Sequence, residues 1–342
     1  MNPEIYSHFH EKIIRSYLIN SKVENTTFTI NSDDSAPVLS VVVPSYNVEK
    51  YLWNGIISII NHKNSHKLEV LIVDDGSKDK TAEIGKKLEA FCEKAGKKIV
   101  RLISKENGGH GSTINVGIRE AKGKYIRIVD GDDTLDSVQF SQLIDILETE
   151  TSDIVLTKYM EDFSLWNGLV IKDTYPFMIP GKKYRFEDLC FEGYGFNEWG
   201  PILACSTYRT DFIRNADFQL SEKCFYVDVE LNTFISLACK TISYYPLNIY
   251  RYLLGRVGQS VSKAAYMRNY KNHEHVTMRV IKSLMEKKSE ISQARYEYIL
   301  NKIVLKMIIT QYIVSVEFYN APGPFRSFEK RLKEYPELLT IS

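Results

Sequence analysis

Four short clusters in the first half of the chain carry residue types able to bind phosphates, metals or nucleosides. They are Pro44-Ser45-Tyr46-Asn47, Asp74-Asp75-Gly76-Ser77, Glu106-Asn107-Gly108-Gly109-His110-Gly111 and Asp130-Gly131-Asp132-Asp133. Two carboxylates one residue apart on a tight turn, Asp130 and Asp132, can hold a hard divalent ion and leave positions open for substrate phosphate oxygens. An EF-hand is excluded, because Leu135 stands at the sixth loop position and Ser141 at the twelfth. A plainer reading stays open for both acidic clusters. The later one suits a cap for the helix beginning near Asp136, and the earlier one suits a turn and cap before Thr81. The glycine-rich cluster can wrap a pyrophosphate through backbone N–H groups at a helix start, although it is not the G-x-G-x-x-G of dinucleotide sites. His110 inside it reads as positional rather than catalytic.

Each cluster follows a stretch that reads as a buried strand. Residues 38–43, 68–75, 98–104 and 125–130 are apolar runs, and 153–159 is a fifth. Between them, 51–60, 79–95, 111–122 and 137–149 repeat apolar residues with helical period. The alternation predicts an α/β fold, Rossmann-like, with a mostly parallel sheet and helices on both faces. In such a sheet ligands gather at the carboxyl ends of the strands, so all four clusters are expected along one edge. Beyond about residue 160 the pattern loosens and aromatics crowd together, which suits a ligand cleft. Residues 263–342 read as a C-terminal helical region, and 1–37 as an N-terminal helix and linker.

Composition narrows the function classes. Among 342 residues, 44 Lys and Arg nearly cancel 43 Asp and Glu. Such a balance lacks the basic footprint of nucleic-acid binding, so no nucleic-acid partner is expected. Five scattered cysteines without a C-x-x-C pair fit a reducing cytoplasm. The first 20 residues lack a secretory signal pattern. The late apolar stretch, Ile299 to Val316, is interrupted by Lys302 and Lys306, and no transmembrane helix is predicted. A stripe through Ile303, Met307 and Val314 suits core or a homodimer contact, and the adjacent lysines would suit a peripheral contact at the inner face of a membrane. The pairs His62 with His66 and His273 with His275 lack a clustered third ligand and read as surface residues.

The segments VVVPSYNVEKYL, VLIVDDGSKDKT, ENGGHGSTINVGI and GKYIRIVDGDD, in this order and spacing, resemble the donor half of family-2 glycosyltransferases with the A-type fold. The likeness covers roughly residues 38–160, and fainter echoes reach about residue 262, which bounds the expected catalytic domain at 38–262. It implies a nucleotide-sugar donor, with UDP the expected nucleotide. Tyr46 and Asp75 would contact the nucleoside, Pro44 would support that edge, and Asn107 and Gly108 would complete the donor site. Asp130 would lie near the ribose or the metal, and Asp132 would be the main ligand of Mn or Mg. WGPILACSTYRTDFI, opening on Trp199 and Gly200, is similar to the stretch beneath the acceptor. CFYVDVELNTF resembles the segment that usually reads Glu-Asp and supplies the catalytic base. That implies Asp228, with Val227 replacing the neighbouring acid and Glu230 as a substitute base. YRYLLGRVGQSVS implies Arg256 and Ser260 near the donor phosphates, though Gln259 interrupts the usual Gly-Ser pair.

The resemblance implies inverting transfer to an acceptor hydroxyl, on a carbohydrate or lipid-linked acceptor, in cell-surface glycan or glycolipid synthesis. Without Q-x-x-R-W, the chain does not resemble the processive synthases. A sugar nucleotidyltransferase is disfavoured because PSYN stands where that class has a glycine-rich loop. A non-catalytic nucleotide-sugar-binding or scaffold protein is favoured by Val227 and opposed by Asp130, Asp132 and Asp228 together.

Overall fold

The computed structural model describes residues 36–96, 98–163, 168–172, 174–191, 200–254, 263–316 and 323–338. The expected N-terminal helix, Trp199, Arg256 and Ser260 lie outside the described residues.

Four parallel strands form the half of the sheet that the sequence reading anticipates: β1 (Leu39–Ser45), β2 (Leu68–Asp74), β3 (Val100–Ser104) and β4 (Tyr125–Ile128). Their order is β3-β2-β1-β4. β1 is buried along its whole length, as a strand covered on both faces must be. Its side chains alternate between two cores. Leu39, Val41 and Val43 face one apolar cluster with α1 (Leu52–Ile60), α2 (Thr81–Lys94) and α4 (Ser137–Thr149), whereas Val42 faces the other with α3 (His110–Glu120). Strand order reverses where β1 meets β4, which opens a crevice at their carboxyl ends.

The second half of the sheet is mixed. The order continues β4-β9-β6-β10-β5, with β5 (Thr134–Leu135), β6 (Ile154–Phe163), β9 (Ser206–Arg209) and β10 (Thr241–Leu253). β9 runs antiparallel between β4 and β6, and β10 is parallel to β6. β7 (Gly168–Lys172) and β8 (Lys183–Arg185) attach antiparallel to β6 and β10.

Two helices, α5 (Thr210–Asn215) and α6 (Val227–Ala238), share the α3 side of the sheet. The C-terminal helices are α7 (Lys263–Arg268), α8 (Tyr270–Lys287), α9 (Gln293–Ile299), α10 (Leu305–Val316) and α11 (Gly323–Leu332). They join the same core through α8, whose Val276, Val280 and Ile281 are fully buried.

Two surface assignments need correction here. His273 is 1 % exposed, because it falls on the apolar face of α8 with Val276, Thr277 and Val280. It hydrogen-bonds Gln311 at 2.7 Å and meets the Tyr226 ring edge-on. His62 is half-buried and bonds the Ile59 carbonyl, whereas His66 and His275 are exposed. Residues 293–316 form one continuous 24-residue helix with a π turn at Leu300–Val304, longer than the lysine interruptions suggest. By length and composition it could cross a membrane, but half of its apolar window is buried inside the fold. Ile303, Met307 and Val314 are core residues, while Ile309, Ile313 and Val316 are exposed.

Candidate active site

The acid turn begins two residues past β4. Gly131 N donates to the Pro44 carbonyl at 3.0 Å, which ties the turn to the end of β1, and Asp133 N closes it onto Asp130 O at 3.0 Å. Its three carboxylates do different work. Asp133 is buried and accepts from the Tyr250 hydroxyl at 2.6 Å and from Leu253 N at 2.9 Å, so it anchors the turn to β10. Asp130 and Asp132 are half-exposed at the rim. The helix behind the turn is capped by Asp136, which accepts from Gln139 N, so the acids at 130–133 are not its cap.

Crowding of negative charge leaves an electrostatic mark. Burial, then repulsion from Asp130 and Asp132, pushes the Asp133 carboxyl well above its ordinary value. Carboxylate oxygens crowded at a solvent-accessible rim fit a hard divalent cation. No group of three or more His, Cys, Asp and Glu side chains forms a complete metal cage among the described residues. A cation at Asp130 and Asp132 therefore fits with oxygens from substrate and water completing its shell.

Asp133 gives the first expected result. A carboxyl whose folded pKa is raised stabilises the fold below its unfolded pKa and loses that contribution as pH rises through the folded value. In chelator, the melting temperature of Asp133→Asn minus that of the wild type is expected to grow from about pH 5 to about pH 8. A difference independent of pH would show that Asp133 does not carry the strained charge.

The other clusters interlock beside the turn. Asp75 N donates to Ser45 O, Asn47 N to the Ser77 hydroxyl, and Val48 N to the Thr81 hydroxyl, so the first two clusters form one bracket. Asp74 accepts from Ser77 N, the turn role that its plainer reading foresaw. Asp75 is 2 % exposed, and its oxygens receive Gly108 N at 2.9 Å, Gly109 N at 2.7 Å and the Lys105 ammonium at 2.9 Å. Its carboxylate shapes the glycine loop, and Asn107 Nδ2 reinforces this through the Asp75 carbonyl. Tyr46 is 44 % exposed at the tip of β1, where a planar ligand could meet it.

The glycine loop also abuts the segment that leads into α6. Gly109 has φ +82°, open to glycine at little cost, and lies against Lys223. A Cβ on Gly111 would sit 2.3 Å from the Ser221 carbonyl oxygen, so only glycine permits this approach. The segment itself is braced by Glu230, which is fully buried and accepts from Ser221 N and Oγ and from Arg279 of α8. That removes Glu230 as a substitute base, since its carboxylate is enclosed in a structural ion pair. Val227 is 2 % exposed and packs toward Gly111 as a core residue.

Asp228 stands in the first turn of α6 and is exposed. Loss of solvation among its neighbours raises its carboxyl pKa, and His110 together with the helix-start amides of Val229 and Asp228 draws it partly back. His110 is in contact with Asp130 of the acid turn. Its Nε2 is 2.9 Å from Asp130 Oδ1. Desolvation lowers the His110 pKa, but Asp130 first, then Asp228 and Asp132, outweigh it and the net shift is upward. Thus Pro44, Tyr46, Asp75, Asn107, Gly108, Asp130 and Asp132 share one edge of the sheet, and Asp228 stands on α6 at the end of the segment that abuts the glycine loop. Tyr250, Arg279 and the His110–Asp130 contact are the parts that sequence reasoning missed.

The family model described as glycosyl transferase family 2 matches residues 40–214. Glycosyltransferase GlyG of Streptococcus pneumoniae is 32 % identical over 156 residues, 45 % of this chain and 48 % of that protein. The human dolichyl-phosphate beta-glucosyltransferase is 35 % identical over 138 residues, 38 % of this chain and 40 % of that protein. The uncharacterized glycosyltransferase EpsJ of Bacillus subtilis is 37 % identical over 119 residues, 35 % of this chain and 33 % of that protein. The matches thus span between a third and a half of these relatives' lengths. Among solved structures, S. aureus TarS 1-349 in complex with UDP-GlcNAc aligns over 80 % of this chain and 72 % of that one, with a TM-score of 0.59 at 20 % identity. That likeness gives the fold, the A-type glycosyltransferase fold expected from the motifs. The motif order, the strand-end edge and a family match across more than half of the residues converge: the chain belongs to glycosyl transferase family 2.

Proposed function

We propose that this protein transfers a sugar from a nucleotide-diphosphate donor, UDP by family resemblance, to an acceptor hydroxyl with inversion at the anomeric carbon. The acceptor is a carbohydrate or lipid-linked molecule of cell-surface glycan or glycolipid synthesis, met in the cytoplasm or at the inner face of the membrane. One observation carries the reading: the first turn of α3 meets Asp130 through His110 at 2.9 Å and packs through Gly111 against Ser221 and Val227, the segment that leads into Asp228 on α6, so one turn of helix adjoins both the candidate donor turn and the candidate base.

On this reading Tyr46, Asp75 and Pro44 hold the nucleoside edge, and Asn107 and Gly108, tied to Asp75, complete the donor site. Asp132, with Asp130 beside it, would hold Mn or Mg, and that ion supplies neutralisation of charge on the departing nucleoside diphosphate. Asp228 takes the proton from the acceptor hydroxyl. A general base contributes about two to four orders of magnitude.

A panel of nucleotide-sugars, beginning with UDP-GlcNAc, with and without Mn, tests the proposal by thermal shift and by release of free nucleoside diphosphate. One donor giving a Mn-dependent shift together with slow hydrolysis is expected. Binding without any turnover, with all acceptors tried, would favour the scaffold reading, for which the buried Val227 in place of an acid is the specific observation. No response to any donor would sink both.

A further inference from the structure

We propose that His110 is a positioning residue for the donor: its ring N–H holds the Asp130 carboxylate and so locks the first turn of α3 to the acid turn. The inference rests on the transferase reading above.

Three observations support it. The contact is direct, 2.9 Å from Nε2 to Oδ1, and the two side chains are 35 % and 32 % exposed, so both line the rim. The backbone presenting the ring is also pinned on either side. Gly109 lies against Lys223, Gly111 is pressed onto the Ser221 carbonyl, and the Thr113 hydroxyl donates to His110 O at 2.6 Å. The ring therefore has little freedom to follow a wandering carboxylate; the carboxylate must come to it. Finally, Asp130 N donates to the Tyr250 hydroxyl at 3.2 Å, which fixes the backbone of the same residue from β10. A carboxylate flanked by Asp132 and Asp133 is repelled from both, and an N–H donor selects the one rotamer that keeps it at the donor edge. The same turn of α3 abuts the segment leading to Asp228, so this contact also keeps the donor side and the base side in register.

The test compares His110→Leu, which fills the volume without a donor, with His110→Gln, whose amide N–H can reach Asp130. Binding of the nucleotide-sugar identified by the panel, with Mn, is read by calorimetry, and each variant is also placed in an Asp130→Ala background. The expected results are a donor Kd about tenfold weaker in His110→Leu and recovery to within about threefold in His110→Gln. In the Asp130→Ala background His110→Leu is expected to add no further loss. Wild-type affinity in His110→Leu, equal weakness in His110→Gln, or an additional loss in the Asp130→Ala background would each overturn the assignment. Wild-type binding is itself the reading of the transferase proposal, so failure of that proposal shows in the wild type and failure of this one only in the ratios.

Discussion

Asp132→Asn is expected to abolish metal-dependent transfer, lowering kcat/KM by at least about two to three orders of magnitude. The turn contains three carboxylates in different settings. Asp133 is enclosed by Tyr250 and Leu253 N, and Asp130 is held by His110. Asp132 remains half-exposed at the rim, between them in sequence. Replacing it with the isosteric amide keeps the turn and removes one negative charge where the acids already repel one another. The fold should therefore hold its melting temperature while Mn ceases to strengthen donor binding. Titrating Mn against the donor by calorimetry, alongside nucleoside diphosphate release, reads both. Retention of Mn-dependent binding within about tenfold of wild type would take Asp132 out of its role.

The donor half was legible because its signals are local. Apolar runs ending in Asp, Gly or Pro mark β1, β2 and β4, and the chemistry follows within two residues of each strand end. The part of the sheet beyond residue 160 carries no such signal. β9 is four residues long, and its Ser206 and Thr207 are buried only because β4 and β6 flank them and Arg127 reaches Thr207 at 2.8 Å. β10 includes Pro246 and shifts register twice between Tyr244 and Tyr250, which breaks the period-two pattern that would announce it.

Site residues divide the same way. Asp75 was picked out for its type and position, but its dependence on the glycine loop is a contact across more than 30 residues. The Tyr250 and Leu253 contacts to Asp133 span 117 and 120 residues, beyond any spacing rule. His273 was different. Its companions at Val276, Thr277, Val280, Ile281 and Leu284 follow helical period, so the buried face was written in the sequence and outweighed by the polarity of one letter.

Asp228→Asn is expected to separate binding from turnover: donor and Mn affinities stay near wild type, and kcat falls by about two to four orders of magnitude. Asp228 belongs to α6, not to the acid turn, and the segment leading to it is braced independently by Glu230, Ser221 and Arg279. Because the side chain is exposed, the amide should be tolerated without loss of melting temperature. The pH dependence adds a second reading. The base must be ionised to accept a proton, and although the carboxyl reaches solvent, the protein mass around it raises its pKa against the pull of His110 and the helix start. Wild-type kcat should therefore climb with pH through a value above that of an ordinary aspartate, then level off, and the residual activity of Asp228→Asn should lack that limb. If the limb persists in the variant, another group is the base. If donor affinity falls with kcat, Asp228 belongs to the donor site instead. The braced segment makes those outcomes separable, since the carboxyl can be changed to an amide without moving the helix that presents it.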